Sequence, residues 1–389
     1  MDGLQNYFLV DKDPRMQLAK KLGESGSCIA AVNILIHLLK PMGASDDFIG
    51  RMTNVGVLVE MLKSNDGNDY QNEECMDGND DQNEQCMEPA FARVFFMIGD
   101  LVLKNEETEG ELKKTWIHTT EETWVAPDAY NGLNVTLAMA HQCIYHSQQI
   151  LARLTGTEAE ETNVSDDVRR QMLLDLAETH SRIGDIMRIR RRLVDAIHSY
   201  HNSIQQRDCV TCAPKKLIAR DHYHLSLCYE ELYGEMEEGG NRAVKEGDEG
   251  EEEGLVDTRN FVGDLCAAEL LHHAIGHSFA SLSSLALYLA ESRGGDYQDI
   301  GKEIQEIGKE ALKDDGDLVG PKQAIHFDQK INRIIQIMNE IPRNDSDEEL
   351  GIIQQFVTDN IMVQVRQMAL YASENNEIGN KGQQSVQIV

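Results

Sequence analysis

A stretch from Leu173 to Tyr233 repeats itself, and that repeat limits what the chain can fold into. Ile183-Gly184 is followed, twelve residues after the glycine, by Ala196, with Tyr200 four further on and Ser203 three beyond that. The register restarts 42 residues later: Ala177, His180, Ile183, Gly184 and Met187 are matched by Ala219, His222, Leu225, Ser226 and Tyr229. A small residue at the tight position lets two helices approach closely. The alanine of the next helix does the same from the other side, and the aromatic residue four places on fills the space between neighbours. Any amphipathic hairpin shows apolar residues at a 3.6-residue period. It does not need small residues at the same places in two tandem copies.

That spacing is the tetratricopeptide pattern, a helix–turn–helix unit of about 34 residues. The fold class it predicts is all-α: an interrupted tetratricopeptide-repeat solenoid with long C-terminal capping helices. Residues 15–40 form a first hairpin, with Leu18, Ala19 and Leu22 leading to Gly23, then Ala31, Leu35 and Leu38. Residues 46–63 read as a further amphipathic helix. FARVFFMIGDLVL carries Ile98-Gly99 and opens another repeat. Its partner is delayed to about 131–154 by a polar segment, 104–128, and a second polar break falls at 155–167. Residues 265–289 supply Ala267, Leu271 and Ala274, and their apolar stripe runs on through Phe279, Leu282 and Leu285 to Leu289. That is long for one repeat, so this helix is expected to project beyond the array. Residues 299–313 are a charged helix. Residues 322–340 and 347–373 are long amphipathic helices that cover the open face of the last repeat. The array therefore spans 15–340, with a capping helix at 347–373 and a disordered tail at 374–389.

Two acidic loops interrupt it. Residues 65–88 hold nine acids, no lysine or arginine, and two near copies, QNEECM and QNEQCM, eleven residues apart. Such a segment cannot bury enough apolar surface to order itself. Eight of the nine are candidates for attracting a basic partner: Asp66, Asp69, Glu73, Glu74, Asp77, Asp80, Asp81 and Glu84. A second acidic, glycine-rich loop occupies 234–257. The formal charge of the 389-residue chain is −31. This excess favours a basic partner and disfavours direct binding to nucleic acid or anionic lipid.

No apolar run reaches the roughly 18 residues of a membrane span, and the start lacks the basic flank and apolar core of a signal peptide. The eight cysteines follow no disulfide framework, which fits reduced thiols. Cys209 and Cys212 form a lone C-x-x-C without the second pair a zinc site wants. His222-Tyr223-His224 and His272-His273 lack the i, i+4 spacing of a helical zinc motif. No phosphate loop or nucleophile elbow stands out. The expectation is a non-enzyme without cofactor or metal.

Acidic loops interrupting helical repeats, together with LAETHSRIGDI (176–186), DAIHSY (195–200) and LIARDHYHLSLCYEELY (217–233), resemble the NASP family (nuclear autoantigenic sperm protein), the SHNi-tetratricopeptide histone chaperones. AAVN (30–33) and FFMIGDLVL (95–103) look like that family's first and second repeats. The chain departs from the family at Arg190-Arg191-Arg192, a turn that is usually acidic there, and at Arg220, where the family has Glu. The resemblance implies binding of histones H3 and H4, contact with other histone-deposition proteins, and a nuclear protein with a cytoplasmic pool. A homodimer is compatible with it. In a repeat array the concave face receives the ligand. Residues placed there are Phe96, Asp100, Glu178, Asp185, Tyr223, Glu230 and Glu231. Carboxylates there would pair with histone lysines and arginines, and Tyr223 would stack on an arginine. The competing expectation is a tetratricopeptide adaptor or co-chaperone for another basic or helical protein. A clamp for acidic peptides would need a basic groove, which these faces do not supply.

Overall fold

The structure, a computed structural model, describes residues 10–42, 89–107, 135–156, 165–210, 213–243, 267–293, 303, 306–307, 321–340, 355, 358–367 and 370. Among them all regular structure is helical, as the sequence pattern predicts. The chain divides into two compact units, Met1–Ile186 and Met187–Val389.

The first unit opens with a short 3-10 turn, Val10–Lys12, and α1 (Pro14–Glu24). Asp13 caps α1 by accepting from the Arg15 N–H at 2.8 Å, and Pro14 sits at the first helical position, where its missing N–H costs nothing. The helix ends on Gly26, whose φ of 80° is the left-handed conformation that glycine adopts freely. The Ser27 N–H then reaches back to the Leu22 carbonyl at 2.8 Å and the Gly26 N–H to Gly23 at 3.1 Å, the two bonds of a Schellman turn. This reverses the chain into α2 (Cys28–Leu39). Next come α3 (Pro89–Glu107), α4 (Val135–Thr155) and α5 (Asp166–Ile189), and the division between units falls in the last turn of α5. Helix α1 packs on α2, α2 on α3, and α3 on α4. Their core contains Met16, Leu35, Phe95, Ile98 and Ile144, each at most 1% exposed.

Gly99 shows why a small residue is required in α3. A Cβ there would lie 2.4 Å from Ile144 Cγ1 and 2.9 Å from the Ala140 carbonyl oxygen. Ile144 is β-branched and held to one rotamer in its helix, and the backbone oxygen does not move cheaply either. Alanine gains about 1 kcal/mol over glycine from helix propensity alone, whereas overpacking costs about 1–3 kcal/mol. Gly99→Ala is therefore expected to lower the melting temperature. A rise would mean that α3 and α4 lie further apart than described.

The second unit holds α6 (Leu193–Asp208), α7 (Lys215–Ala243), α8 (Ala267–Arg293) and α9 (Pro321–Glu340), followed by helical residues 358–367. The turn into α6 is again a Schellman turn. Arg192 N–H donates to the Met187 carbonyl at 2.9 Å and Arg191 N–H to Arg188 at 3.0 Å. Here a non-glycine residue, Arg191, takes the left-handed position at φ 60°. Helix α7 packs on α6 and along α8, and α8 also meets α9.

Several boundaries differ from the sequence reading. The first part of the expected loop at 234–257 is helical, because α7 continues to Ala243, and residues 244–257 lie outside the described residues. Glu235, Met236, Glu237, Glu238, Arg242 and Ala243 are good helix formers and carry the helix through its glycines. Likewise α3 runs to Glu107, into the expected polar segment 104–128. Helix α8 does not project. Phe279, Leu282, Leu285 and Leu289 are each at most 1% exposed, and every residue from Ser278 to Leu282 is buried. Small residues there let α8 sit close to its neighbours. Ser281 donates to the Ala219 carbonyl of α7 at 2.7 Å, and Ser278 donates to Gln364 at 2.9 Å. The proposed helix at 46–63, the loop 65–88 and the tail 374–389 lie outside the described residues. Of the segments 299–313 and 347–373, the described positions 303, 306–307, 355, 358–367 and 370 are helical.

Candidate partner-binding surface

Helix α5 places Asp175, Glu178, Arg182 and Asp185 at steps of three, four and three, so all four share one face. On α3, Arg93 and Asp100 are seven apart and stand on one face with half-buried Phe96 between them. In the first unit these two faces meet. Arg182 Nε lies 3.0 Å from Asp100 Oδ1 and 3.5 Å from Glu178 Oε1, and its Nη1 donates to Asp185 Oδ2 at 3.1 Å. Three carboxylates thus gather around one guanidinium. The side chains are 13–20% exposed, so solvent screens the cluster weakly. Burial alone would lower the pKa of Arg182. The charges of Asp100, Asp185 and Glu178 outweigh it and hold the guanidinium above arginine's ordinary range.

A second charged knot joins the same two helices to the opening 3-10 turn and α1. Arg93 pairs with Asp11 at 2.6 Å and Asp175 at 2.7 Å, Asp11 also accepts from Lys20 at 2.8 Å, and Gln171 donates to Asp175 at 2.8 Å. His180 turns aside to Gln148, 2.9 Å away, and burial holds it down to about 4.

In the second unit the nominated acids are also engaged. Glu231 accepts from Arg188 at 3.0 Å and from Arg191 at 2.7 Å. Glu230 accepts from Gln364 Nε2 at 2.9 Å. Tyr223 is half-buried, with its ring 5.9 Å from His224, and burial raises its hydroxyl pKa. Behind this face a fully buried group ties α6 to α7. Arg207, Asp221 and Ser203 are each 0% exposed. Arg207 Nη1 donates to Ser203 Oγ at 2.6 Å and to Asp221, while Ser203 donates to Asp221 Oδ2 at 2.7 Å.

The structure thus joins Asp100, Glu178 and Asp185 in one cluster, with Phe96 on the same helix as Asp100. It places Tyr223, Glu230 and Glu231 together on α7. What the sequence reading missed are the chain's own cations. Arg182 occupies the site meant for a partner's guanidinium, and Arg188 and Arg191 occupy Glu231. The signal was present, since Arg182 stands four after Glu178 and three before Asp185, the spacings at which helical ion pairs form. Asp66, Asp69, Glu73, Glu74, Asp77, Asp80, Asp81 and Glu84 lie outside the described residues. Among the described residues no three His, Cys, Asp or Glu side chains are placed to hold a metal ion. Burial pushes the Cys143 thiol up to about 12, which makes it a packing residue. No family model matches this chain, and no curated protein matches it either.

Proposed function

We propose that the chain is a chaperone for histones H3 and H4. Its helical hairpins would act as repeats of an interrupted tetratricopeptide array with C-terminal capping helices. In this reading it shields basic histone surfaces and passes them to deposition proteins without chemistry, in the nucleus and in a cytoplasmic pool. The observation that carries the reading is the Asp100–Glu178–Asp185 cluster, in which three carboxylates from two helices converge on a single guanidinium. A site shaped for one arginine is shaped for others, and planar guanidinium is the group that carboxylate clusters of this kind select. The overall charge of −31 adds attraction at long range, which salt weakens.

The test is retention of purified H3–H4, the other core histone pair, and an acidic peptide, each at low and high salt. Selective retention of H3–H4 that survives high salt is expected. Equal retention of both histone pairs, lost at moderate salt, would mean that net charge acts alone. The protein would then be an adaptor for some other basic partner.

A further inference from the structure

Three helices of the second unit bring histidines together on a face that the proposed binding does not use. His277 of α8 is the centre. His222 of α7 stacks on it at 5.3 Å and 25°, and His201 of α6 meets it edge-on at 5.3 Å. One turn earlier on α8, His273 stacks on Tyr229 of α7 at 5.0 Å, and Tyr229 lies parallel to His277 at 5.6 Å. His198 stands one turn before His201 on α6. The Nδ1 atoms of His222 and His277 are 3.1 Å apart, a hydrogen bond between two imidazoles.

That bond dictates a protonation state. One imidazole must be neutral to accept. A single added proton is tolerated, because N–H⁺···N remains a bond. A second proton sets two donors face to face at the same 3.1 Å. The pair therefore titrates as a unit. Beside it, His201 also gains charge on acidification and repels it.

The groups facing the pair are, from α6, His198 and His201. From α7 they are Tyr229 and neighbouring Cys228, and from α8 His273, with His272 6.3 Å from His273 at the edge. On the far side of α8, Ser278 donates to Gln364, and Gln364 donates to Glu230. The charged group that α9 buries is Lys330. On the other flank of α7, His224 stacks on Tyr200 and lies 3.3 Å from Arg188 Nη1.

We propose that this histidine cluster is an acid-sensitive latch, which clamps α6, α7 and α8 at neutral pH and loosens them on mild acidification. Enclosure by packed rings, then the neighbouring His201, holds His222 down to about 4. Burial first, then His222, His201 and His273, holds His277 well below the usual range. Burial also lowers His201. The sign follows. A folded-state pKa below the unfolded one means that the unfolded chain binds more protons. The latch is therefore fully effective above the unfolded value of about 6.5 and is lost as pH falls toward the folded values. Each such histidine costs roughly tenfold in the folding equilibrium per pH unit within that window. The rest of the chain pulls the other way, because acidification toward its pI of about 4.7 relieves the repulsion of a −31 protein. A loss of stability between pH 7.5 and 5.5 therefore points to the histidines.

The experiment is urea unfolding of the full chain at pH 7.5, 6.5 and 5.5, read by helical circular dichroism. The wild type is expected to lose at least tenfold in its folding equilibrium from pH 6.5 to 5.5. His222→Phe/His277→Phe keeps the ring packing without the protons and is expected to reduce that slope, what remains belonging to His201 and to His180 of the first unit. Wild-type stability that is flat or rises on acidification would overturn the latch, as would an unchanged slope in the double variant. Should that variant fail to fold, imidazole NMR of the wild type decides. Resonances titrating in coupled steps below pH 6 support the latch, and histidines all titrating independently near 6.5 refute it.

Discussion

Truncating Asp221 to alanine is expected to destabilise the second unit by about 3–5 kcal/mol, the range for removing one partner of a fully buried ion pair. Arg207 and Asp221 are both 0% exposed, so the truncation leaves a guanidinium without its counter-charge in a site water does not reach. Ser203 cannot replace that charge, since its hydroxyl already accepts from Arg207 and loses its own acceptor with the carboxylate. Against a total stability of about 5–15 kcal/mol the loss is a large fraction. Arg207→Met should cost less. Asp221 would still accept from Ser203 and lie 3.4 Å from Arg220, which is partly exposed and can share its charge with solvent. The double variant Arg207→Met/Asp221→Leu removes both charges and is expected to lie nearer the wild type than Asp221→Ala does, because apolar replacement of a buried pair is often neutral. Urea midpoints compare the four proteins, and Asp221→Leu alone, as a fifth, completes the cycle. An Asp221→Ala cost below about 1 kcal/mol, the median of a surface pair, would mean that the pair is open to water.

The same group shows how far the sequence can be read. Ala196, Tyr200 and Ser203, the residues that mark the repeat, are each 0% exposed. Arg207 continues their stripe at the next step of four. Spacing alone places it in the core, but arginine is almost never fully buried without a partner. That partner, Asp221, comes from the next helix, and no local pattern announces it. Ile98-Gly99 was legible for the opposite reason, since a small residue in an apolar face has few uses other than close approach. Helix ends were read less well. Gly234 and the acidic run after it look like a loop by composition, yet a helix already propagating through Tyr233 adds residues for little and crosses Gly234 and the Gly239-Gly240 pair. Periodicity puts the three carboxylates on shared helix faces. Arg182 stands at ion-pair spacing from Glu178 and Asp185, but its contact with Asp100 on α3 joins distant segments, which no local pattern announces.

Arg182→Ala should be the most informative change in the first unit. It leaves Asp100, Glu178 and Asp185 around a vacated volume without the guanidinium they share. Full burial would put the cost at about 3–5 kcal/mol. With side chains 13–20% exposed, water relieves part of the repulsion, and about 2–3 kcal/mol is expected. Methylguanidinium supplied in solution should then bind where the side chain was. At ten times its Kd it would return about 1.4 kcal/mol by mass action, and the wild type, whose site is filled, should gain nothing. Methylammonium should rescue less, because a point charge cannot present the planar fork that serves several carboxylates at once. Sodium chloride at equal ionic strength controls for screening. Rescue by guanidinium alone would establish a site selective for arginine, and the variant should then hold arginine-rich H3 or H4 segments more tightly than the wild type. Equal rescue by all three salts would mean that the cluster is no more than a region of high negative charge. The histone reading would lose the observation it stands on.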